Sequence, residues 1–285
     1  SPLGFFIYSW HMPLFFFLAG FFIKYELSTQ EFIKKDFKKL IIPYFIFSLA
    51  ALIIEWIKRT FLNREGLDYL HELKGIFLWM DYTSLMNTYG FVLWFLPALF
   101  FGRLIVYLIN KEIKSLLTQT IIVFILFYVS FFVNFILGID NALNATIYIF
   151  LGSVFYRFYQ SYVSFYILLL VLIGLTYYSG VPALDIASKY YDNIIINIIY
   201  SMSIIFFLIT ITKKINYKSK LMTLWGSNTM LLFIIHPYTN NIGHIIAENL
   251  FFGGWYLKLI ISLVTLHIVI LIKQRFKNKG VFRYV

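Results

Sequence analysis

Residues 5–23 read Phe-Phe-Ile-Tyr-Ser-Trp-His-Met-Pro-Leu-Phe-Phe-Phe-Leu-Ala-Gly-Phe-Phe-Ile. No carboxylate, lysine or arginine interrupts the run. As a helix rising 1.5 Å per residue, it reaches about 28 Å, close to the bilayer hydrocarbon thickness of about 30 Å. Two residues depart from a plain lipid-soluble helix. His11 is ionisable, and Pro13 removes a backbone N–H two residues later.

The same pattern recurs along the chain. Of its 285 residues, 61% are hydrophobic, 21% aromatic and 13% charged, and the mean hydropathy is +0.80. Soluble domains are about 45–50% apolar and about 25% charged. These values exclude a soluble enzyme, a disordered chain and a disulfide scaffold, and there is no cysteine at all. They imply an all-α polytopic membrane protein. Nine apolar stretches are long enough to span, at 5–23, 40–57, 90–109, 117–137, 141–156, 163–179, 194–212, 221–240 and 255–273. Residues 58–89 form the only long polar excursion. No repeat, low-complexity linker or soluble domain interrupts residues 1–285, which read as a single membrane domain.

The net charge is +11. The basic residues sit in short gaps between apolar runs rather than on a soluble face, which argues against nucleic acid and for a lipid bilayer as the partner. Eighteen of the 24 lysines and arginines fall in the gaps after odd-numbered spans, in the C-terminal tail, or at Arg103; six fall elsewhere. The positive-inside rule then places the C-terminus in the cytoplasm and Ser1 outside. A chain that starts outside with no leader implies one further span before it, ten in all.

Ionisable groups inside spans cost about 2.5–3.5 kcal/mol each and tend to be functional. In this orientation His11, His236 (followed by Pro237) and Glu55 all fall in the outer half of the membrane. Histidine and carboxylate suit general acid–base chemistry. Each also has a structural reading: a neutral histidine bonded to a neighbouring helix, or an interfacial carboxylate beside Lys58 and Arg59. His244 and Glu248 are one helical turn apart, but not in a zinc-binding pattern, and no metal site is expected. His71 and His267 read as structural. Arg103 is either a snorkelling arginine or a contact to an anionic cofactor from the cytoplasm. Lys34, Lys35, Lys38 and Lys39 mark an inner interface, or hold the phosphates of a nucleotide-like donor. Trp94, Trp225 and Trp255 fall where an interfacial aromatic belt would. The sequon Asn144-Ala-Thr146 lies inside a span.

Four segments together resemble the acyltransferase 3 family of integral membrane O-acyltransferases, and within it the fucose 4-O-acetylase-like sugar acetyltransferases. Ile7-Tyr-Ser-Trp-His-Met-Pro-Leu-Phe-Phe-Phe-Leu-Ala-Gly20 is similar to the signature SFHMPLFFFLSG. Phe37-Lys-Lys-Leu-Ile-Ile-Pro-Tyr44, Leu93-Trp-Phe-Leu-Pro-Ala-Leu-Phe100 and Gly226-Ser-Asn-Thr-Met-Leu-Leu-Phe-Ile-Ile-His-Pro237 follow in family order. The resemblance implies ten helices in a bacterial plasma membrane. It also implies transfer of an acetyl or other acyl group from acyl-CoA to a hydroxyl of a surface polysaccharide or a lipid-linked sugar. No cofactor is implied beyond acetyl-CoA or another acyl-CoA as donor substrate.

Carried over by position, His11 and His236 are the catalytic candidates. Lys35, Lys38, Lys39 and Arg103 are candidates for the donor, and Trp94 and Glu55 for the acceptor. Where the family favours arginines before Leu-x-x-Pro-Tyr, this chain has lysines. The family's first helix, usually with an outer histidine, has no counterpart in this sequence. The competing reading is a transporter or flippase for a glycan or lipid-linked intermediate. A non-catalytic partner in envelope-polymer synthesis is the third.

Overall fold

Apolar runs with few helix breakers leave the backbone no partner but itself in a hydrocarbon environment, so helices dominate. The computed structural model describes residues 2–158, 165–214, 219–250 and 254–276. In chain order the elements are α1 (Pro2–Tyr8), α2 (His11–Phe21), α3 (Thr29–Asp36), α4 (Ile42–Phe61), α5 (Tyr69–Lys74), α6 (Phe95–Glu112), α7 (Leu116–Val129), α8 (Ile139–Phe158), α9 (Phe165–Ser179), β1 (Leu184–Asp185), β2 (Tyr190–Tyr191), α10 (Ile194–Lys214), α11 (Lys220–Gly226), α12 (Thr229–Leu250) and α13 (Trp255–Arg275).

Among the described residues, five helical stretches are long and apolar enough to cross a membrane: 29–61, 89–112, 136–155, 194–213 and 255–275. The other four expected stretches also hold helices. Three are shorter, at 6–21, 116–129 and 169–179. The fourth, expected at 221–240, is divided into α11 and α12. The first stretch is not one helix either, because Ser9 and Trp10 interrupt it between α1 and α2. Residues 159–164, the last two of which open the expected sixth span, lie outside the described residues, as do Lys218, Lys277, Lys279 and Arg283.

The chain forms two compact units. The first comprises residues 1–37 and 95–216. Here α8 packs against α2, α6 and α7, and α9 packs against α10. Gly20 and Gly152 let α2 and α8 approach closely. A Cβ at Gly20 would strike the Ile149 carbonyl, and one at Gly152 the Phe17 carbonyl. Small residues at such a crossing are what membrane helices use to bring backbones together. Gly152→Ala is therefore expected to destabilise this unit by about 1–3 kcal/mol, the usual cost of overpacking. A lower unfolding temperature in detergent would show it, and an unchanged one would contradict the packing.

At one end of this unit the β1–β2 hairpin is tied to α8. Lys189 pairs with Asp140 at 2.7 Å, Asn141 donates to the Ala187 carbonyl, and Tyr191 donates to Asn144. Asn144 in turn donates to Ser130 and is fully buried, so the sequon offers no acceptor site for a glycan.

The second unit comprises residues 38–94 and 217–285. Here α12 packs along α13. A wide π-helical turn at Phe37–Ile41 precedes Pro43 at the start of α4. That turn absorbs the proline's missing donor and its steric clash with the preceding turn.

Residues 62–88 depart from a simple polar excursion. They fold back along α4. Glu65 accepts from Arg59 at the charged end of α4, whereas Ile76 accepts from the Tyr44 hydroxyl at 2.9 Å and Phe77 stacks on Phe45 at 5.3 Å. The chain then returns, with Gly75 against the Ser84 backbone, Gly90 against Ala51, and Tyr89 beneath the Lys58 ammonium.

Candidate active site

His11 is the first residue of α2. Pro13 falls in the same first turn, where helix N–H groups have no intrahelical partner, so it costs the helix nothing. The interruption before α2 leaves the Ile7 carbonyl within reach of the imidazole, and His11 Nδ1 lies 3.0 Å from it. A carbonyl only accepts, so Nδ1 carries the proton and Nε2 is the basic nitrogen of the neutral ring. The Tyr8 ring meets the imidazole edge-on at 4.9 Å.

His236 repeats this device on α12. Pro237 has no N–H to give Phe233, four residues back, and His236 Nδ1 lies 2.7 Å from that carbonyl. A proline-linked histidine thus substitutes for a missing backbone donor and fixes its own tautomer. The His236 side chain is exposed. Pro237→Ala would restore the backbone donor and compete with the ring. The expected result is a helix more stable by up to about 3 kcal/mol together with weaker acyl transfer. Unaltered transfer would show that the His236 tautomer plays no part.

His267 is arranged oppositely: its Nδ1 accepts from Trp225 Nε1 at 3.2 Å, a structural bond. His244 pairs with Glu248 at 3.0 Å on an exposed turn, and His71 lies exposed on α5. Among the described residues no group of three or more His, Cys, Asp or Glu could hold a metal ion.

Glu55 is 4% exposed and is held by Lys58 and by Arg59 Nε at 3.0 Å on its own helix. Both partners are its i+3 and i+4 neighbours. Trp94 is buried at the end of a 3-10 turn, Tyr89–Trp94. The Tyr89 ring packs on Tyr238 at 4.7 Å, so α12 presents Tyr238 to this turn. His236 lies two residues away, roughly 200° around the helix, on the other side. Glu55, Trp94 and His236 belong to the second unit, and His11, Lys35 and Arg103 to the first.

Arg103 joins three elements of the first unit. Its Nε donates to Asp36 Oδ2 at 2.7 Å, its Nη1 donates to the Ala19 carbonyl, and its guanidinium stands over the Phe32 ring. Phe32 stacks on Tyr107 at 4.2 Å. Tyr107 donates to the Leu27 carbonyl and accepts from Lys111, and Asn110 donates to Tyr25 and Ser153. Arg103 on α6 therefore pins α2 and α3. Asp36, Phe32 and Tyr107 were not evident in sequence. The one local sign was a single carboxylate inside a run of lysines. Of those lysines, Lys35 is half-buried, and Lys38 and Lys39 are exposed.

In the first unit a cavity of about 510 Å³ opens among Phe6, Trp10, Thr176, Tyr200, Ile204 and Phe207. It is almost wholly apolar and offers no acid–base group. It adjoins the residue preceding His11.

The described residues thus form a helical fold with stretches able to cross a membrane, and a histidine whose Nδ1 is bonded to a carbonyl opens α2. The model of the acyltransferase domain, acyltransferase 3, matches residues 1–274, and the chain belongs to that family. No curated protein and no solved structure compared with it matches.

Proposed function

We propose that this membrane acyltransferase moves an acetyl group from acetyl-CoA, or a related acyl group from its CoA thioester, to a sugar hydroxyl, with His11 as general base. The observation that carries the reading is the His11 Nδ1 contact to the Ile7 carbonyl, which leaves Nε2 as the basic nitrogen. Nε2 takes the proton of the acceptor hydroxyl, the oxygen attacks the thioester carbonyl, and the C–S bond breaks. The CoA thiolate leaves and takes up a proton, giving the ester and free CoA. His236 is the second candidate, as an orienter or acceptor contact.

Lys35, Lys38 and Lys39 are the candidates for the phosphates of the donor. Arg103, bonded to Asp36 and to the Ala19 carbonyl, is a further candidate for the donor. Trp94 and Glu55 are candidates for the acceptor side. The apolar cavity beside Trp10 supports an acceptor that carries a hydrocarbon chain, a lipid-linked sugar, over a free polysaccharide. The topology belonging to this reading has nine spans in residues 1–285. It has a cytoplasmic C-terminus and sits in a bacterial plasma membrane. The reading extends to a sugar acetyltransferase of the fucose 4-O-acetylase-like kind.

Membrane vesicles given acetyl-CoA labelled in the acetyl group test this. Label in an alkali-labile ester, lost with His236→Ala as well as His11→Ala, is expected if both histidines act. Retained transfer with His236→Ala confines the chemistry to His11. A transporter would leave no label in ester.

A further inference from the structure

The segment that folds back along α4 is inside-out. In α5 and the π-helical turn that continues it to Trp79, the charged side chain of Glu72 is only 2% exposed, and it accepts from Asn87 at 2.7 Å. Gly75 and Ile76 are buried beside it. The outward side exposes Leu70 (64%), Leu73 (38%), Phe77 (51%), Leu78 (39%) and Trp79 (39%), together with His71 and Lys74, whose long stem lets its ammonium snorkel toward the interface. A helix bathed in water shows the reverse arrangement.

Depth decides what covers this face. The charged end of α4 begins at Glu55. Tyr44, which bonds to Ile76, lies eleven residues, or about 16 Å, further along the helix axis. That is about half the thickness of the hydrocarbon core. The Phe45–Phe77 stack fixes the same level independently. Residues 29–61 form one of the stretches able to cross a membrane, and α4 itself exposes Ile53, Ile54, Trp56 and Ile57. An apolar face at this depth, in a unit whose span also exposes apolar side chains, is continuous with a lipid-facing surface.

We propose that residues 69–79 are inserted in the bilayer and that Leu70, Leu73, Phe77, Leu78 and Trp79 contact lipid acyl chains. The backbone of 62–68 satisfies the requirement of leaving hydrocarbon, since Glu65 bonds to Arg59 at the charged end. On the inner side of the segment the buried Glu72 accepts from Asn87 of the returning chain. This assignment is independent of which acyl group the protein transfers.

The chain has no cysteine, so single cysteines report cleanly. Leu73→Cys and Leu78→Cys, spin-labelled in the full chain and reconstituted in phosphatidylethanolamine–phosphatidylglycerol vesicles, would be compared with two references. Val264→Cys, exposed on α13, gives the lipid-facing value, and Arg64→Cys, exposed at the charged end, gives the aqueous one. Power-saturation measurement of collision with oxygen and with a neutral nickel chelate then reads depth. Leu73 and Leu78 are expected to match Val264, with oxygen collision exceeding nickel collision several-fold, and Arg64 to show the reverse.

Nickel collision at Leu73 and Leu78 equal to that at Arg64 would overturn the proposal by placing the segment in water. Protection from both reagents would overturn it by showing that protein covers the face. Leu70→Cys serves as the substitute if Leu78→Cys fails to fold.

Discussion

His11→Ala is expected to lower acyl transfer by about 10²–10⁴-fold, the range that a positioned general base contributes. The loss should appear with donor and acceptor both saturating, because the proton is taken in the transition state and not on binding. Folding should survive. The ring's bond to the Ile7 carbonyl is of the kind worth about 1 kcal/mol. The Gly20–Gly152 crossing that holds α2 lies two to three turns away. His11→Gln keeps a donor for the Ile7 carbonyl without a basic nitrogen, so it should fold like wild type and remain inactive. Activity in His11→Gln close to wild type would assign His11 a purely structural role.

Arg103→Ala is expected to give the largest loss of stability. Asp36 and Arg103 side chains are 6% and 14% exposed, and removing the arginine leaves a buried carboxylate without its cation. Breaking such a pair typically costs about 3–5 kcal/mol. Asp36→Ala should cost a similar amount, since it strands the guanidinium. The double substitution should cost less than the sum of the two, because the second removal takes away a group already unpaired. Thermal unfolding of the four proteins in one detergent measures this. Strict additivity would mean that the pair does not couple. A donor-binding role for Arg103 would appear as a raised KM for acyl-CoA in Arg103→Lys at unchanged stability.

How far the sequence disclosed this depends on the range of the interaction. Apolar runs are local, and helices occur at each of the nine stretches. His11 and His236 were conspicuous as ionisable groups in such runs. Pro237 lent His236 local meaning, since its imidazole bonds the carbonyl that the proline leaves without a donor, and the His11 imidazole bonds a carbonyl four residues back. Arg103 was visible as a charge within a span, but its partner Asp36 is 67 residues away and no local pattern joins them. Glu55 was read beside Lys58 and Arg59, and an i+3 or i+4 contact is what a helix supplies without tertiary help.

The segment 62–88 was the hardest to read. Its helix is too short to span. Arg64, Glu65, Asp68, Glu72 and Lys74 lower its hydropathy, and its apolar face is outward, opposite to the convention for a helix covering a core. The break at Ser9–Trp10 was hidden for a related reason, since nothing in an unbroken apolar run marks where a helix stops. The split of the 221–240 stretch had a local sign in Gly226-Ser-Asn228, a helix-ending sequence within an apolar region.

The central claim is that this chain forms an ester by acyl transfer from a CoA thioester, and one measurement tests it most directly. Membrane vesicles containing the protein would receive acetyl-CoA labelled in the acetyl group, with His11→Ala vesicles at equal protein content alongside. Alkali-labile label in a membrane or glycan fraction from the wild type, reduced at least about 10²-fold in the variant, is the predicted result. Equal label in wild-type and His11→Ala vesicles, or none in either across acyl-CoA donors of several chain lengths, would contradict it.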